Sequence, residues 1–543
     1  MDDAADAMKV EWREWGPAAF EEARDADRPV LLSISARWCG WCQTMDATAY
    51  ADPRIAAIVN HDFVPIRADA DRRPRVRDRY NVGGFPSTVV LTPSGELIAG
   101  ASFLETEPLR NLLQGVADDW GSEDTPIGRV PHTLQDQEPP VGRLDGDTER
   151  FINGQVDVQF EDENAGWGSE EKFPLPTTIE FAMKRQPEKA IATLDALRDG
   201  LFDEFDGGFF RHAESDWSDP MREKLLSVNA PVLRAFANGY LVTGDVSYRE
   251  TAFRTRDYLV DTLWTGEGFG TSQEPGEYFD RPADERSSAA PPPIDESVYA
   301  RPNALAADAL TWLTAYTDDD TAEEHARRTF SILDRDFLEG GVLSHARDGP
   351  QAPILGDQAT ALQAYTSASQ VLDREHESLS RRIADATIEH LQTASGAFRD
   401  GPAEGPGLLD RPLYPIDENA RLARSLVDFS YLADEAGYRE IAREALEAFA
   451  GAADQMGAQV AGYGTAAAKL QREPLVIDVG ASPGSDLHRA ALRMADHEKI
   501  VVPESHHVDD GHAALRRNGE AVGHATDPES LAGLVADHSA DSV

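Results

Sequence analysis

The chain has 543 residues, with 97 Asp or Glu against 51 Lys or Arg and a net charge of −46. The negative charge is spread along the chain, which disfavours nucleic acid and anionic membranes as partners. Only two cysteines are present, too few for a secreted disulfide scaffold or for a structural zinc site built on cysteine pairs.

A uniformly acidic, lysine-poor chain stays hydrated at high salt, where screening removes most self-repulsion, so a salt-adapted, halophilic source is inferred. The N-terminus Met1-Asp2-Asp3-Ala4-Ala5-Asp6 has no apolar core segment, so no signal peptide is expected. Nowhere do about 18 apolar residues run together, so no membrane span is expected. A cytoplasmic location follows, where a dithiol stays mostly reduced.

Residues 10–26 carry Trp12, Trp15, Ala18, Phe20 and Ala23 at near-helical spacing. The apolar run Val30-Leu31-Leu32-Ser33-Ile34-Ser35 after Arg28-Pro29 predicts a buried strand. It leads into Trp38-Cys39-Gly40-Trp41-Cys42 and a helix through Gln43-Thr44-Met45. Cys39 is then placed at a helix N-terminus, where the dipole and free N–H groups favour a thiolate. Cys42 lies one turn deeper, able to attack a mixed disulfide on Cys39. Asp52-Pro53 predicts a capped helix to Asn60, and Phe63-Val64-Pro65-Ile66-Arg67 a second strand. Gly83-Gly84-Phe85-Pro86-Ser87-Thr88-Val89 enters a third strand, Thr92-Pro93-Ser94-Gly95-Glu96 a hairpin turn, and Leu97 to Gly100 the return strand. Leu109 to Trp120 closes the unit as a helix. The order α-β-α-β, hairpin, α is that of the thioredoxin fold.

Trp38-Cys39-Gly40-Trp41-Cys42 resembles a thioredoxin active site, and Phe85-Pro86-Ser87-Thr88 resembles its cis-proline loop. The resemblance implies a cis Pro86 facing Cys39 and Cys42, with Trp38, Gly40, Trp41, Phe85 and Pro86 contacting substrate. With Phe63 to Asp69, Arg73-Pro74 and Gly83 to Pro86, the chain is similar to long thioredoxin-like proteins of the spermatogenesis-associated family. That family usually reads C-H-W-C-H; here Gly40 and Gln43 replace both histidines, removing any metal reading there. Ser33 stands where thioredoxins carry a buried Asp that relays protons, so a slower resolving step is expected.

Gly121 to Asp145 is Pro-, Gly- and acid-rich and predicts a linker between a thioredoxin-like domain over 1–120 and the next. From 146 to 470, amphipathic segments pair as helical hairpins around turns at Thr243-Gly244, Thr317-Asp318 and Glu435-Ala436-Gly437. Between them recurs a glycine and bulky-apolar mark: Gly166-Trp167, Gly208-Phe209, Gly268-Phe269, Gly341-Val342, Ala397-Phe398 and Gly462-Tyr463. This repeat predicts an all-α (α/α)6 barrel-like toroid, its last hairpin poorly defined. Residues 471–543 predict a small α/β domain. Gly166 to Pro174 and Gly207 to His212, with Trp217 and Glu223-Lys224-Leu225, resemble segments of the same family, whose barrel resembles those of sugar epimerases and glycosidases. Met221-Arg222 replace the family's His-Phe.

Candidate polar groups in the barrel are Glu170, Lys172, Arg211, His212, Glu223 and Lys224, with Asn229, Asn303 and Asp357. Paired carboxylates across a cavity could act as acid and base on a sugar; the competing reading is a structural ion pair and a turn-capping histidine. Gly480 to Ser485 reads as a turn. Ser505-His506-His507-Val508-Asp509-Asp510-Gly511-His512 holds metal-ligand residue types but reads as a solvated acidic loop, since no element holds them in register. No metal or cofactor is assigned. The leading reading is a thiol–disulfide oxidoreductase with catalytic Cys39 and Cys42, its partner a disulfide-bearing protein or small molecule, or a carbohydrate. The alternative is a carbohydrate-active enzyme with its site in the barrel; a binding module without turnover is a third class. Oligomeric state is left open.

Overall fold

The computed structural model describes residues 9–122, 127–134 and 138–539; the acidic N-terminus and parts of the expected linker lie outside them. The chain forms two compact units. One comprises Met1–Glu138 with Asp400–Leu413, the other Pro139–Arg399 with Tyr414–Val543.

The first unit is built on a five-stranded sheet in the order β1-β3-β2-β4-β5. Its strands are β1 (Arg13–Glu14), β2 (Val30–Ser35), β3 (Val64–Asp69), β4 (Ser87–Leu91) and β5 (Leu97–Ala101). β3 runs parallel to β1 and β2, whereas β4 is antiparallel to β2 and β5. The helices are α1 (Pro17–Ala26), α2 (Gly40–Ala47), α3 (Pro53–Asp62), α4 (Pro74–Tyr80) and α5 (Thr106–Asp119). Proline opens α1, α3 and α4, where its missing N–H costs nothing. This shortens the helix expected over 10–26: Gly16-Pro17 fixes its start, and Arg13-Glu14 become an edge strand. Leu31 and Val90 pack with Met45, Ile55, Val59, Leu109 and Leu113 in one core layer.

The segment Asp400–Leu413 joins this unit through buried charge. Arg79 is fully buried and directs every guanidinium N–H to a partner. Nη1 and Nη2 donate to Asp400 at 2.7 and 3.1 Å, Nε to Leu408 O at 3.0 Å, and further bonds reach Arg75 O and Arg411 O. Arg75 adds a bond to Asp400 at 2.7 Å and reaches Pro402 O and Leu409 O. The Tyr80 hydroxyl donates to Gly95 O and accepts from Leu408 N. Gly95 and Gly407 meet with positive φ (93° and 67°); a Cβ on Gly95 would lie 2.5 Å from Gly407 Cα, so only glycine fits.

The second unit is an (α/α)6 ring. Its helices are α6 (Thr148–Val158), α7 (Pro176–Arg185), α8 (Pro187–Leu201), α9 (Leu226–Thr243), α10 (Val246–Tyr258) and the short α11 (Ala283–Arg286). They continue as α12 (Ala300–Thr317), α13 (Asp320–Asp336), α14 (Leu355–Val371), α15 (His376–Leu391), α16 (Ile416–Leu432), α17 (Gly437–Glu447) and α18 (Ala461–Gln471). Neighbouring contacts run α7, α9, α12, α14, α16, α18 and back to α7, so the inner ring closes. The outer partners are α8, α10, α13, α15 and α17, with α6 beside α18. The sixth hairpin is therefore split between the two ends of the unit. This is why its sequence pattern is weak, and Gly462-Tyr463 lies inside helix α18 where a turn is expected.

The inner helix α14 is buried at every residue, its polar side chains included. The other marks are turns that fold back on the preceding helix, as in the bridges Phe160–Trp167, Phe202–Phe209, Trp264–Phe269 and Gln392–Phe398. A side-chain amide from the following inner helix holds four of these returns. Asn229 accepts from Phe209 N (2.6 Å) and donates to Phe209 O (3.0 Å). Asn303 does the same for Phe269, Asn419 for Phe398 and Gln358 for Leu343. Asn229 and Asn303 are thus structural clamps.

Residues 476–539 lie in the same unit. A sheet in the order β14-β13-β15-β16 joins β13 (Val476–Val479), β14 (Ile500–Pro503), β15 (Ala513–Arg517) and β16 (Glu520–Ala525), flanked by α19 (Asp486–Leu492) and α20 (Pro528–Ser539). The hairpin β15–β16 goes beyond the sequence expectation. Its signal was Asn518-Gly519, both at positive φ, the pair a tight two-residue turn requires. Short two-residue ladders complete the strands: β6 (Glu171–Lys172) with β7 (Ala213–Glu214), β8 (Lys224–Leu225) with β9 (Ser272–Gln273) and β10 (Ile294–Asp295), and β11 (Leu338–Glu339) with β12 (Val342–Leu343).

Candidate functional site

Strand β2 delivers the chain to Trp38-Cys39, and α2 begins at Gly40 with Cys39 as its N-cap. Cys39 and Cys42 form a disulfide with their Cα atoms 5.2 Å apart. The Cys42 N–H donates to Cys39 Sγ at 3.0 Å. In the dithiol state that same N–H faces a thiolate on Cys39, adding a charge-assisted bond to the helix dipole. Each cysteine is only 4% exposed, whereas the Trp41 ring between them is 58% exposed and leans on Phe103 at 5.2 Å.

The residues around the disulfide are held by polar turns. Trp38 Nε1 donates to Asp71 Oδ2 at 2.8 Å, and Asp69 Oδ1 accepts from the backbone of Asp71 and Arg72. The Trp38 ring meets Phe85 edge-on at 5.4 Å, which ties the cysteine turn to the next loop. The Phe85–Pro86 peptide is cis, as the resemblance implies. Asn81 Oδ1 accepts from Gly83 N and Gly84 N, and Ser87 Oγ donates to Gly84 O, so two short polar side chains shape that loop. Sequence reasoning missed Asn81 and Asp71; their signal is an Asx residue two positions before a glycine pair and one two positions past the end of a strand.

Ser33 sits in β2, paired with Arg67 on β3 and Thr88 on β4. The Tyr50 hydroxyl contacts Thr88 Oγ1 at 3.3 Å, and burial holds it protonated against the opposing pull of Thr88 and Ser33. The polar cluster at Ser33 is therefore one of neutral hydroxyls. Asp46, on α2, is paired with Arg67.

None of the six barrel residues singled out from sequence lines the ring cavity described below. Glu170 is exposed. Lys172 is buried against Glu161 Oε2 (3.4 Å) and Gly166 O, and burial lowers its pKa. Arg211 pairs with Glu223 at 3.2 Å. His212 stacks on Phe173 at 4.5 Å, and burial, with Arg211 beside it, lowers its pKa to about 4. Lys224 is fully buried, donating to Asp203 at 2.6 Å and Gly207 O at 2.7 Å; burial lowers its pKa to about 8 against the pull of Asp203. Arg286 of α11 binds the same carboxylate through two bonds. Glu223 and Lys224, read from sequence as one ion pair, thus take separate partners, Arg211 and Asp203. Asp357 is buried too, accepting from His345 Nδ1 and Arg301 N.

The ring's own cavity, about 210 Å³, is lined by other residues: Glu180, Arg234, Arg301, Asp308, Gln363, Asp417, Glu418, Arg421 and Arg424 among them. Arg234 bridges Glu180 (3.0 Å) and Asp308 (2.5 Å), and Arg301 pairs with Glu418. Burial and the neighbouring Glu418 raise Asp417 to about 6. Burial, with Arg301, Arg424 and Arg234 nearby, lowers Arg421 to about 10 against the pull of Glu418. The readable signal was a lone charge inside an apolar helical run, as at Arg234 in α9 and Asp308 in α12.

Residues 3–137 match the family Thioredox_DsbH, described as "Protein of unknown function, DUF255". The chain is similar to "Spermatogenesis-associated protein 20" of Homo sapiens, 24% identical over 294 residues; this covers 47% of the chain and only 37% of that protein. Over 83 residues it is 40% identical to "Thiol:disulfide interchange protein TxlA" of Synechococcus elongatus, covering 14% of the chain and 40% of that protein. Among solved structures, "Crystal structure of sugar epimerase from ruminal bacterium" overlaps 58% of this chain and 84% of its own, with TM-score 0.46 and 12% identity. No helix among the described residues is long and apolar enough to cross a membrane.

Proposed function

We propose that this chain, whose first unit is thioredoxin-like and which is related to the spermatogenesis-associated thioredoxin-like proteins, is a thiol–disulfide oxidoreductase. The observation that carries the reading is a Cys-Gly-Trp-Cys disulfide at a helix N-terminus, with a backbone N–H already donated to Cys39 Sγ. In the dithiol form, Cys39 thiolate attacks a substrate disulfide and expels one substrate thiolate. Cys42, losing its proton to solvent, then attacks Cys39 Sγ and releases the second thiol. Two electrons pass to the substrate, and the protein disulfide forms. No carboxylate stands at Ser33 to take the Cys42 proton, so the resolving step uses water. The substrate class is a disulfide-bearing protein or small molecule, and a reducing, high-salt cytoplasm fits the acidic surface.

The test is disulfide reduction by the intact protein in high salt, with dithiothreitol or a thioredoxin reductase as electron source, against Cys39→Ser. Turnover should fall to the uncatalysed background in the variant. Equal rates overturn the reading.

A second reading, a carbohydrate-active enzyme with its chemistry in the ring, is favoured by one observation. The cavity gathers Asp417, raised to about 6 by burial and the neighbouring Glu418, with the side chains of Asp308 and Glu418 in the same lining, residue types that general acid–base work uses. Glu223 lies outside that lining, so Asp417→Asn is the discriminating variant. Sugar isomerisation or hydrolysis that survives Cys39→Ser and is lost in Asp417→Asn would favour it.

A further inference from the structure

We propose that Asp434, His506 and His507 form a binding site for one divalent transition-metal ion of the zinc class. They make the one group of at least three convergent His, Cys, Asp or Glu ligands among the described residues, with ligand atoms within 4.8 Å of one another.

The local chain explains the convergence. Asp434 follows the end of α16 with φ of 54°, a left-handed conformation that turns the chain toward α17. Its carboxylate faces the loop that follows β14. That loop is pinned at both ends: Ser505 N donates to Val479 O at 3.0 Å, and Gly511 N to Gly480 O at 2.7 Å. Ser505 Oγ also donates to the buried Asp478 at 2.7 Å and accepts from His507 N at 3.3 Å. The register that the sequence alone could not supply therefore comes from β13.

Distances separate a metal site from a hydrogen-bonded cluster. Both Nε2 atoms address the same oxygen, Asp434 Oδ2: His506 from 3.7 Å and His507 from 3.5 Å. Both separations exceed a hydrogen bond, which a bridging proton would draw to about 3.2 Å or less. The His507 separation falls within the edge of a tetrahedron around a cation with bonds of about 2.0–2.2 Å, roughly 3.3–3.6 Å, and the exposed His506 stands just outside it. His507 Nε2 is sealed from solvent and has no hydrogen-bond partner, a need that a coordinate bond would meet. The imidazole rings lie 4.2 Å apart, close enough to face one cation together.

The surroundings act on the remaining oxygen. Arg516 Nη1 stands 3.6 Å from Asp434 Oδ1, while its Nε and Nη2 bind Asp478. The guanidinium thus orients the carboxylate with Oδ2 turned toward the histidines, as an outer-sphere partner does. Two imidazole nitrogens and one carboxylate select a borderline ion such as Zn²⁺ or Co²⁺ over Mg²⁺, Ca²⁺ or K⁺, which take oxygen. His506 and Asp434 are exposed, so the fourth position is open to water. The ion would fasten the loop after β14 to the turn between α16 and α17.

The experiment uses the full chain with Cys39–Cys42 kept as the disulfide, so that thiolates take no metal. Chelator-treated, desalted protein is titrated with ZnCl2 in high KCl by calorimetry, and with Co²⁺ by visible absorption. One equivalent should bind, with a tetrahedral Co²⁺ spectrum. His506→Ala and His507→Ala should each weaken binding by at least about 100-fold, since even outer-sphere changes cost 10–100-fold. Melting of the same variants without metal, compared with the parent, controls for folding, and Zn²⁺ should raise the melting temperature of the parent alone. Absence of binding, an octahedral Co²⁺ spectrum, binding that Mg²⁺ matches, or affinity unchanged in the double histidine variant each overturns the assignment.

Discussion

Asp400→Asn removes the one carboxylate shared by Arg75 and Arg79. The Arg79 side chain is fully buried and that of Asp400 is 4% exposed, so water cannot replace the lost charge. The amide also puts an NH2 where one carboxylate oxygen stood. Oδ2 there accepts from Arg75 and Arg79, and Oδ1 from Arg79 and Leu413 N, so either orientation sets donor against donor. Breaking one side of a buried pair costs about 3–5 kcal/mol. For a unit of this size each kcal/mol shifts melting by roughly 2–4 °C, so the first unit should melt about 10 °C lower. Calorimetry reads that transition, and hydrogen exchange at Tyr80 and Leu408 should rise with it. Burial pushes the Asp400 carboxyl up, but the two guanidiniums outweigh this and hold it below the ordinary carboxylate range. Its stabilisation is therefore complete above that range and lost as pH falls through the lowered folded value, so the variant's deficit should vanish in acid. A shift of less than about 2 °C for Asp400→Asn, with Leu408 still protected, would refute the reasoning.

Three further outcomes are expected. His212 is lowered to about 4 by burial and Arg211, so the unfolded chain binds the proton first. Its contribution to stability should rise with pH between about 4 and 6.5, by up to ~3 kcal/mol, and His212→Gln should make that limb shallower in acid denaturation curves, the buried His376, His488 and His497 keeping the rest. Asn303→Ala leaves Phe269 N–H and the carbonyls of Phe269 and Tyr299 without their amide partner. Denaturant midpoints should report a loss of about 2–3 kcal/mol, and a neutral result would deny the clamp its role. With a net charge of −46, melting temperature should climb with KCl up to about 1 M, where the screening length is ~3 Å; a flat profile would contradict the salt-adapted reading.

The first unit was readable because its signals are local. A β-branched run, two cysteines three apart and a Phe-Pro before a strand each declare themselves within a few residues. The ring was readable through repetition, since five of the six glycine and bulky-apolar marks sit where an outer helix folds back. What the sequence concealed are residues whose meaning depends on distant partners. Arg79 reads as one arginine in a charged stretch, yet its carboxylate is Asp400, 321 positions away. Glu223 and Lys224 drew attention as a charged pair beside an aromatic-rich turn, but Lys224 is spent on Asp203. The cavity belongs to Arg234, Asp308 and Asp417, which sit singly on different helices and meet only when the ring closes. His506 and His507 were read beside Asp509, Asp510 and His512 of the same loop, whereas the carboxylate they face, Asp434, lies in another part of the chain.

The division of one stave between α6 and α18 has a bearing on how such a chain is made. Ala458 N reaches Gln159 Oε1 across 299 positions, so the hoop stays open on the ribosome until nearly all of it has emerged. Five hairpins can form from neighbours as they appear; the last seam is a long-range event, slow to nucleate and exposed to misassembly until it shuts. Cutting the hoop at an exposed tip such as Thr243-Gly244 and joining it across the natural gap would turn that seam into a local hairpin and should speed closure, leaving the finished ring unchanged.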